Sequence, residues 1–155
     1  MRRFLQGDNM NSKIYDIREN NDLTQEELAK IIGGNRVSIS NWENEKEIPN
    51  INKANEIANY FDISLDYLFN LSKIKNYSDN KKCNIDKIVV GNRLKEFRKE
   101  HNLTISKLAA ELNTTPSTIS AYESGKTLLL TAFAVQICKK YKISMDYLYG
   151  KKDDK

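Results

Sequence analysis

Residues 23–44 read LTQEELAKIIGGNRVSISNWEN, and the order of polar and apolar side chains in this stretch predicts two short helices meeting at a tight turn. Thr24 followed three residues later by Glu27 forms a capping-box pattern, in which the threonine oxygen accepts the Glu27 amide and the glutamate reaches back to the Thr24 amide. The helix opened there turns Leu28, Ile31 and Ile32 toward one side. Gly33-Gly34-Asn35 breaks the pattern, and Asn35 is placed to cap a second helix from Arg36 to Asn44. Ile39 and Trp42 fall on the inner face of that second helix, and Arg36, Val37, Ser38 and Asn41 on its outer face.

Working outward, three more helices complete a five-helix unit. Ile14, Ile17 and Arg18 share a face before the polar run Glu19-Asn20-Asn21-Asp22. A fourth helix follows Pro49, with Ala54, Ile57, Ala58 and Phe61 on its apolar side, and Ser64 caps a fifth in which Leu65, Leu68 and Phe69 close the core. The whole pattern then recurs 80 residues later without a gap: residues 17–70 against 97–150 show 16 identities in 54 pairs. A repeat of this length is a duplicated domain, because about 60 residues can close a small core alone. The second unit keeps the pattern with different punctuation. Lys107 stands where Thr104 would find a capping-box glutamate, and Thr115-Pro116 supplies a good N-cap followed by a proline at the first helical position.

These observations predict an all-α chain of two tandem five-helix domains. The expected divisions are an N-terminal extension at 1–10, a first domain at 11–70, a linker at 71–88, a second domain at 89–150 and a polar tail at 151–155. The run Asn76-Tyr77-Ser78-Asp79-Asn80-Lys81-Lys82 has little to bury and reads as a solvated linker, and the tail is expected to fray. With 39% hydrophobic and 30% charged residues, the 155-residue chain fits small globular domains. Cys83 and Cys138 are too few for a structural zinc site and read as reduced thiols, and His101 reads as a surface residue. No stretch approaches the ~20 apolar residues of a membrane span, and Met1-Arg2-Arg3-Phe4-Leu5 lacks the apolar core of a signal peptide. The expectation is a cytoplasmic protein without metal or cofactor.

The segments 23–29 and 38–44, together with 116–126 in the second unit, resemble the lambda-repressor-like, XRE-type helix-turn-helix family. Ile63-Ser64-Leu65-Asp66-Tyr67-Leu68 and Ile143-Ser144-Met145-Asp146-Tyr147-Leu148 are similar to the last helix of that family. The resemblance implies binding to double-stranded DNA, with the third helix of each unit entering the major groove. The implied base-reading residues are Arg36, Val37, Ser38 and Asn41 in the first unit and Pro116, Ser117, Thr118 and Ala121 in the second. Arg36 is suited to a guanine edge, Asn41 to an adenine and Val37 to a thymine methyl, whereas the second set is small throughout. Phosphate contacts are implied for Gln25, Asn44 and Lys46, and for Thr104, Ser124 and Lys126. Two departures stand out: Ile105 replaces the glutamine, and Glu45 replaces the family's glycine, which Gly125 retains.

Charge divides the two units. The formal net charge of the chain is +4, but residues 11–70 carry 6 Lys plus Arg against 11 Asp plus Glu, and residues 91–150 carry 9 against 5. The second unit should therefore supply most of the salt-dependent affinity for phosphate. The acidic first unit opens an alternative, an antitoxin- or anti-repressor-like adaptor in which it binds a protein and only the second unit meets DNA. Opposite charges also suit docking within a chain or across a homodimer. A coil of 18 residues spans roughly 23–25 Å root-mean-square against about 34 Å between half-sites one turn apart, and fully extended it reaches about 60 Å, so one chain is expected to act as a pseudo-dimer. Trp42 and Tyr122 read as core residues before base-stacking platforms. Glu43 and Glu123 read as residues that brace their own domains, because no nucleophile, metal cluster or phosphate loop accompanies them and an enzyme is not expected. Arg2 and Arg3 suit an arm into a minor groove.

Overall fold

The computed structural model describes residues 12–155, so the 1–10 extension and its Arg2–Arg3 arm lie outside the described residues. The Thr24 capping box forms as read: Thr24 Oγ1 accepts the Glu27 amide at 3.1 Å, and Glu27 Oε2 accepts the Thr24 amide at 2.7 Å. It opens α2 (Gln25–Ile31), which follows α1 (Ile14–Asn20) and precedes α3 (Arg36–Glu43), α4 (Ile51–Phe61) and α5 (Leu65–Leu68). The second unit comprises α6 (Lys87–Glu100), α7 (Ile105–Glu111), α8 (Pro116–Glu123), α9 (Thr131–Tyr141) and α10 (Met145–Leu148). All described regular structure is helical, and α2 to α5 match α7 to α10 with every boundary shifted by 80.

The side-chain caps explain where most helices begin. Asn35, Asn50 and Ser64 cap α3, α4 and α5, and Thr104, Thr115 and Ser144 cap α7, α8 and α10, each accepting a backbone amide near the helix start. Leu130 precedes α9 without a side-chain cap bond, at the position where the first unit has Asn50. The backbone joints repeat too. Among the described residues, those in the left-handed region form five pairs 80 apart: Asp22 and Asn102, Gly33 and Asn113, Glu45 and Gly125, Asp62 and Lys142, Asn70 and Gly150.

The described residues divide into two compact units, 12–77 and 78–155. In the first, Ile14, Leu28, Ile39, Ile57, Leu65 and Leu68 are fully buried; in the second, Leu94, Leu108, Ile119, Ile137 and Leu148 form the matching core. Each such side chain contributes about 1.5–3 kcal/mol through removal from water. At the front of the second unit, α6 crosses α8 very closely. A Cβ on Gly91 would lie 2.4 Å from the Tyr122 carbonyl oxygen and 2.8 Å from that of Glu123.

Two expectations need correction. The 71–88 stretch is not a free solvated coil. Its first part is strapped to the first unit: the Ser64 amide donates to the Lys75 carbonyl at 2.6 Å, Asn76 Nδ2 to Asp62 Oδ1 at 3.2 Å, and the Tyr77 hydroxyl to Asp66 Oδ2 at 2.7 Å. Its later part is strapped to the second: Asn80 Nδ2 donates to Asp146 Oδ1 at 3.3 Å and the Lys81 amide to the Lys151 carbonyl at 2.7 Å, and α6 has begun by Lys87. The reach of an eighteen-residue coil therefore does not apply. The tail is not frayed throughout either, since Lys151 and Lys152 are buried. Arg93 Nη1 donates to the Lys152 carbonyl at 2.6 Å and the Lys151 amide to the Asp146 carbonyl at 2.7 Å. Burial pushes the Lys151 ammonium below its ordinary pKa, with Asp146 acting in the opposite direction. Backbone groups in this polar segment find partners, so composition alone misjudged its order.

Candidate nucleic-acid interface

α3 and α8 each present an outer face over a fixed inner one. Ile39 and Ile119 are fully buried, and Trp42 and Tyr122 are 7% and 5% exposed, which makes the two aromatics core residues. Burial also raises the Tyr122 pKa, with a weaker opposing hydrogen bond from Leu130. On the outer face of α3, Arg36 is exposed, Val37 is 60% exposed, and Ser38 and Asn41 are half-buried. On α8, Pro116 and Ser117 are exposed, and Thr118 and Ala121 are half-buried. The N-caps shape what these residues offer. Asn35 Oδ1 accepts the Ser38 amide at 2.9 Å, and Thr115 Oγ1 accepts the Thr118 amide at 3.3 Å while lying 2.9 Å from Thr118 Oγ1. The Thr118 hydroxyl is thus already paired with its neighbour, and α8 presents a smaller and less polar tip than α3.

Each of these helices is braced by a buried ion pair that the repeat contains but that periodicity does not reveal. Arg18 Nε donates to Glu43 Oε1 at 2.5 Å, Arg18 Nη2 to Glu43 Oε2 at 3.3 Å, and Arg18 Nη1 to the Leu23 carbonyl at 2.7 Å. In the second unit Arg98 grips Glu123 through two bonds of 2.8 Å and holds the Leu103 carbonyl at 2.9 Å. The carboxylate side chains are 4% and 6% exposed. Hydrogen bonding to the carboxylate pushes each guanidinium above its ordinary pKa, against the effect of burial. One guanidinium therefore ties the first helix of the unit to the end of α3 or α8 and to the loop before α2 or α7. The signal available in the sequence was the pairing of both residues at the same offset, Arg18 with Arg98 and Glu43 with Glu123.

The residues expected at phosphate occupy varied settings. Gln25, half-buried at the first position of α2, gives one amide proton to Glu43 Oε2 at 2.6 Å and so joins the Arg18 pair. Ile105 cannot do this in the second unit. Thr104 caps α7, accepting the Lys107 amide at 3.0 Å. Asn44 and Ser124 are exposed just beyond their helices, Asn44 donating to Ser40 Oγ at 3.3 Å and Ser124 to the Ala121 carbonyl at 3.1 Å. Lys46 and Lys126 are exposed in the following turns, whose amides return to the Asn41 and Ala121 carbonyls at 2.8 and 3.0 Å. Those turns differ at one joint: Glu45 holds φ +58 where Gly125 holds φ +74. A left-handed glutamate is strained where glycine is not. Near Lys126 a second ammonium appears that sequence reasoning did not single out, with Lys87 Nζ 3.5 Å from the Lys126 carbonyl.

Among the described residues no cluster of metal-binding side chains occurs, and no helix is long and apolar enough to cross a membrane. Residues 11–74 match a helix-turn-helix domain family, and residues 94–148 match a second helix-turn-helix family. The HTH-type transcriptional activator BcrR of Enterococcus faecalis is 33% identical over 78 residues, which cover 46% of this chain and 38% of that protein. The chain thus spans well under half the length of this curated relative. No solved structure matches. Two matched segments, each built on a capped helix pair with a braced second helix, show that the chain carries two XRE-type helix-turn-helix domains in tandem.

Proposed function

We propose that the chain is a sequence-specific, double-stranded DNA-binding transcriptional regulator that acts in the cytoplasm by binding, without catalysis. α3 and α8 enter the major groove, Arg36, Val37, Ser38 and Asn41 meet base edges, and α8 contributes shape through Pro116, Ser117, Thr118 and Ala121. Gln25, Asn44, Lys46, Thr104, Ser124 and Lys126 hold the flanking phosphates. The observation that carries this reading is the exposed outer tip of α3, where Arg36 and Val37 stand over a buried Ile39 and Trp42 on a helix fixed by the Arg18–Glu43 pair.

The test is selection of duplex DNA by the full chain across a salt series. Arg36→Ala should relax discrimination at one base pair by about 1–3 kcal/mol. Lys126→Ala should weaken all duplexes alike and lower the salt slope by about one. Absence of any selected sequence at every salt concentration refutes the reading. The unequal charge of the units favours the second arrangement, in which the acidic unit holds a protein and α8 alone meets DNA. That arrangement predicts normal DNA selection in Arg36→Ala. We further propose repression, because occupancy of DNA is sufficient for it, and a pseudo-dimeric mode in which one chain covers two unequal half-sites. A promoter–reporter titration reads the sign, and a footprint no longer than one half-site from a monomeric complex contradicts the pseudo-dimer.

A further inference from the structure

Lys53 lies in the first turn of α4, outside the helix pair that carries the proposed reading residues. Its amide is taken by the Asn50 cap at 3.0 Å, but its ammonium reaches back to the end of α2. Lys53 Nζ donates to the Ile32 carbonyl at 2.6 Å, lies 3.4 Å from the Gly33 carbonyl and is held 3.3 Å from Glu56 Oε2. Ile32 is the C-cap of α2, and Gly33 is the left-handed residue that starts the turn toward α3. Carbonyls at the end of a helix lack intrahelical donors and form the negative end of its dipole, so an ammonium is a fitting partner. Charge-assisted bonds are also stronger than neutral ones. The lysine side chain is 28% exposed and therefore partly shielded from solvent.

The second unit differs at the corresponding position. Position 133 is phenylalanine, half-buried, with its ring centroid 6.3 Å from that of Tyr122 in α8. There α9 supports the outer helix through an aromatic contact; in the first unit α4 supports the turn before it through charge.

We infer that Lys53 is a positioning residue for base reading by α3: it clamps the α2–α3 turn and so fixes where Arg36 and Asn41 meet the bases. This rests on the proposal that α3 reads DNA. Base readout needs placement within about 0.5 Å, whereas nonspecific affinity depends on charge and tolerates a shifted register. Loss of the clamp should therefore fall on discrimination before it falls on binding.

The experiment uses the full chain and the duplex it selects, against a scrambled duplex of the same length at one salt concentration. The measured quantity is the ratio of the two affinities, read beside the unfolding midpoint. Lys53→Met keeps the stem and removes the charge, and its ratio is expected to fall about tenfold, the order of one base pair's discrimination. Lys53→Arg, which keeps a charged donor, should restore the ratio to within about twofold, and Lys53→Gln, an uncharged donor, should fall between them. Loss of one positive charge weakens both duplexes equally and cancels in the ratio. A Met variant that stays folded and keeps the wild-type ratio overturns the inference, whatever happens to its midpoint; if Met fails to fold, an unchanged ratio in Gln overturns it. A wild-type ratio near one refutes α3 reading itself and Lys53's role with it, whereas a ratio that Arg36→Ala lowers and the lysine variants leave alone refutes only Lys53.

Discussion

Gly91→Ala sets two well-measured tendencies against each other. In an ordinary helix interior, replacing glycine by alanine stabilises by about 1 kcal/mol, and α6 is fourteen residues long with Gly91 well inside it. Here the new methyl would lie 2.4 Å from the Tyr122 carbonyl oxygen, 2.8 Å from that of Glu123 and 3.1 Å from the Glu123 carbonyl carbon. All three are backbone atoms at the end of α8, so no side chain can rotate away. Restoring ordinary contact near 3.4 Å requires α6 and α8 to part by about 1 Å, and a gap of that size forfeits a quarter to a half of each dispersion contact around it. Val90, Leu94 and Ile119, each at most 1% exposed, belong to the two helices being parted. Overpacking against rigid neighbours costs about 3 kcal/mol at the upper end of its usual range. Set against the helical gain, the net expectation is a loss of about 2 kcal/mol. For a domain of this size that lowers the midpoint by roughly 8–16 °C. Calorimetry of the full chain measures it, with the transition of the first unit as internal reference. A midpoint for the second unit that rises, as helix propensity alone requires, refutes the close crossing of α6 and α8.

Two further substitutions probe the brace and the cap. Arg98→Met strands the Glu123 carboxylate, whose side chain is 6% exposed, and should cost about 3–5 kcal/mol in urea unfolding; adding Glu123→Leu should recover most of it, since an apolar pair of similar volume is often neutral. The Glu27 carboxylate is held below its ordinary pKa first by the Thr24 amide and then by the Thr24 hydroxyl. A depressed carboxylate stabilises above its unfolded pKa and loses that contribution as pH falls through the folded value. The stability of the first unit should therefore drop below about pH 4.3 more steeply in wild type than in Glu27→Gln, as pH-dependent circular dichroism would show; identical acid limbs would exclude the reciprocal bond.

Much of the fold was legible because its signals are local. Thr24 with Glu27, Asn35, Thr104 and Thr115-Pro116 each announce a helix start within four residues, and the structure uses every one of them. The bracing role of Glu43 and Glu123 was legible, and what escaped the reading is the identity of partners far apart in the chain. Arg18 and Glu43 lie 25 residues apart and Lys53 and Ile32 lie 21 apart; no periodicity links such pairs. The connector misled for the same reason, since Tyr77 and Asn80 look solvated until Asp66 and Asp146 are seen to receive them. In the candidate interface, the outward residues of α3 could be assigned from helical spacing. The occupied state of Gln25, already bonded to Glu43, could not.

The five left-handed pairs have a practical meaning. Each follows the end of a helix, where the chain turns away from it, and each recurs at the same place in both units despite exchanges as large as glycine for glutamate or aspartate for lysine. The path of the backbone at these points is thus shared by the two units. Residues 23–48 could be traded for 103–128 with every joint inside the graft arriving where the host expects one. Such a chimera would carry the small tip of α8 on the acidic body, or the arginine-bearing tip of α3 on the basic one, and would separate what a helix reads from the charge of the domain that delivers it.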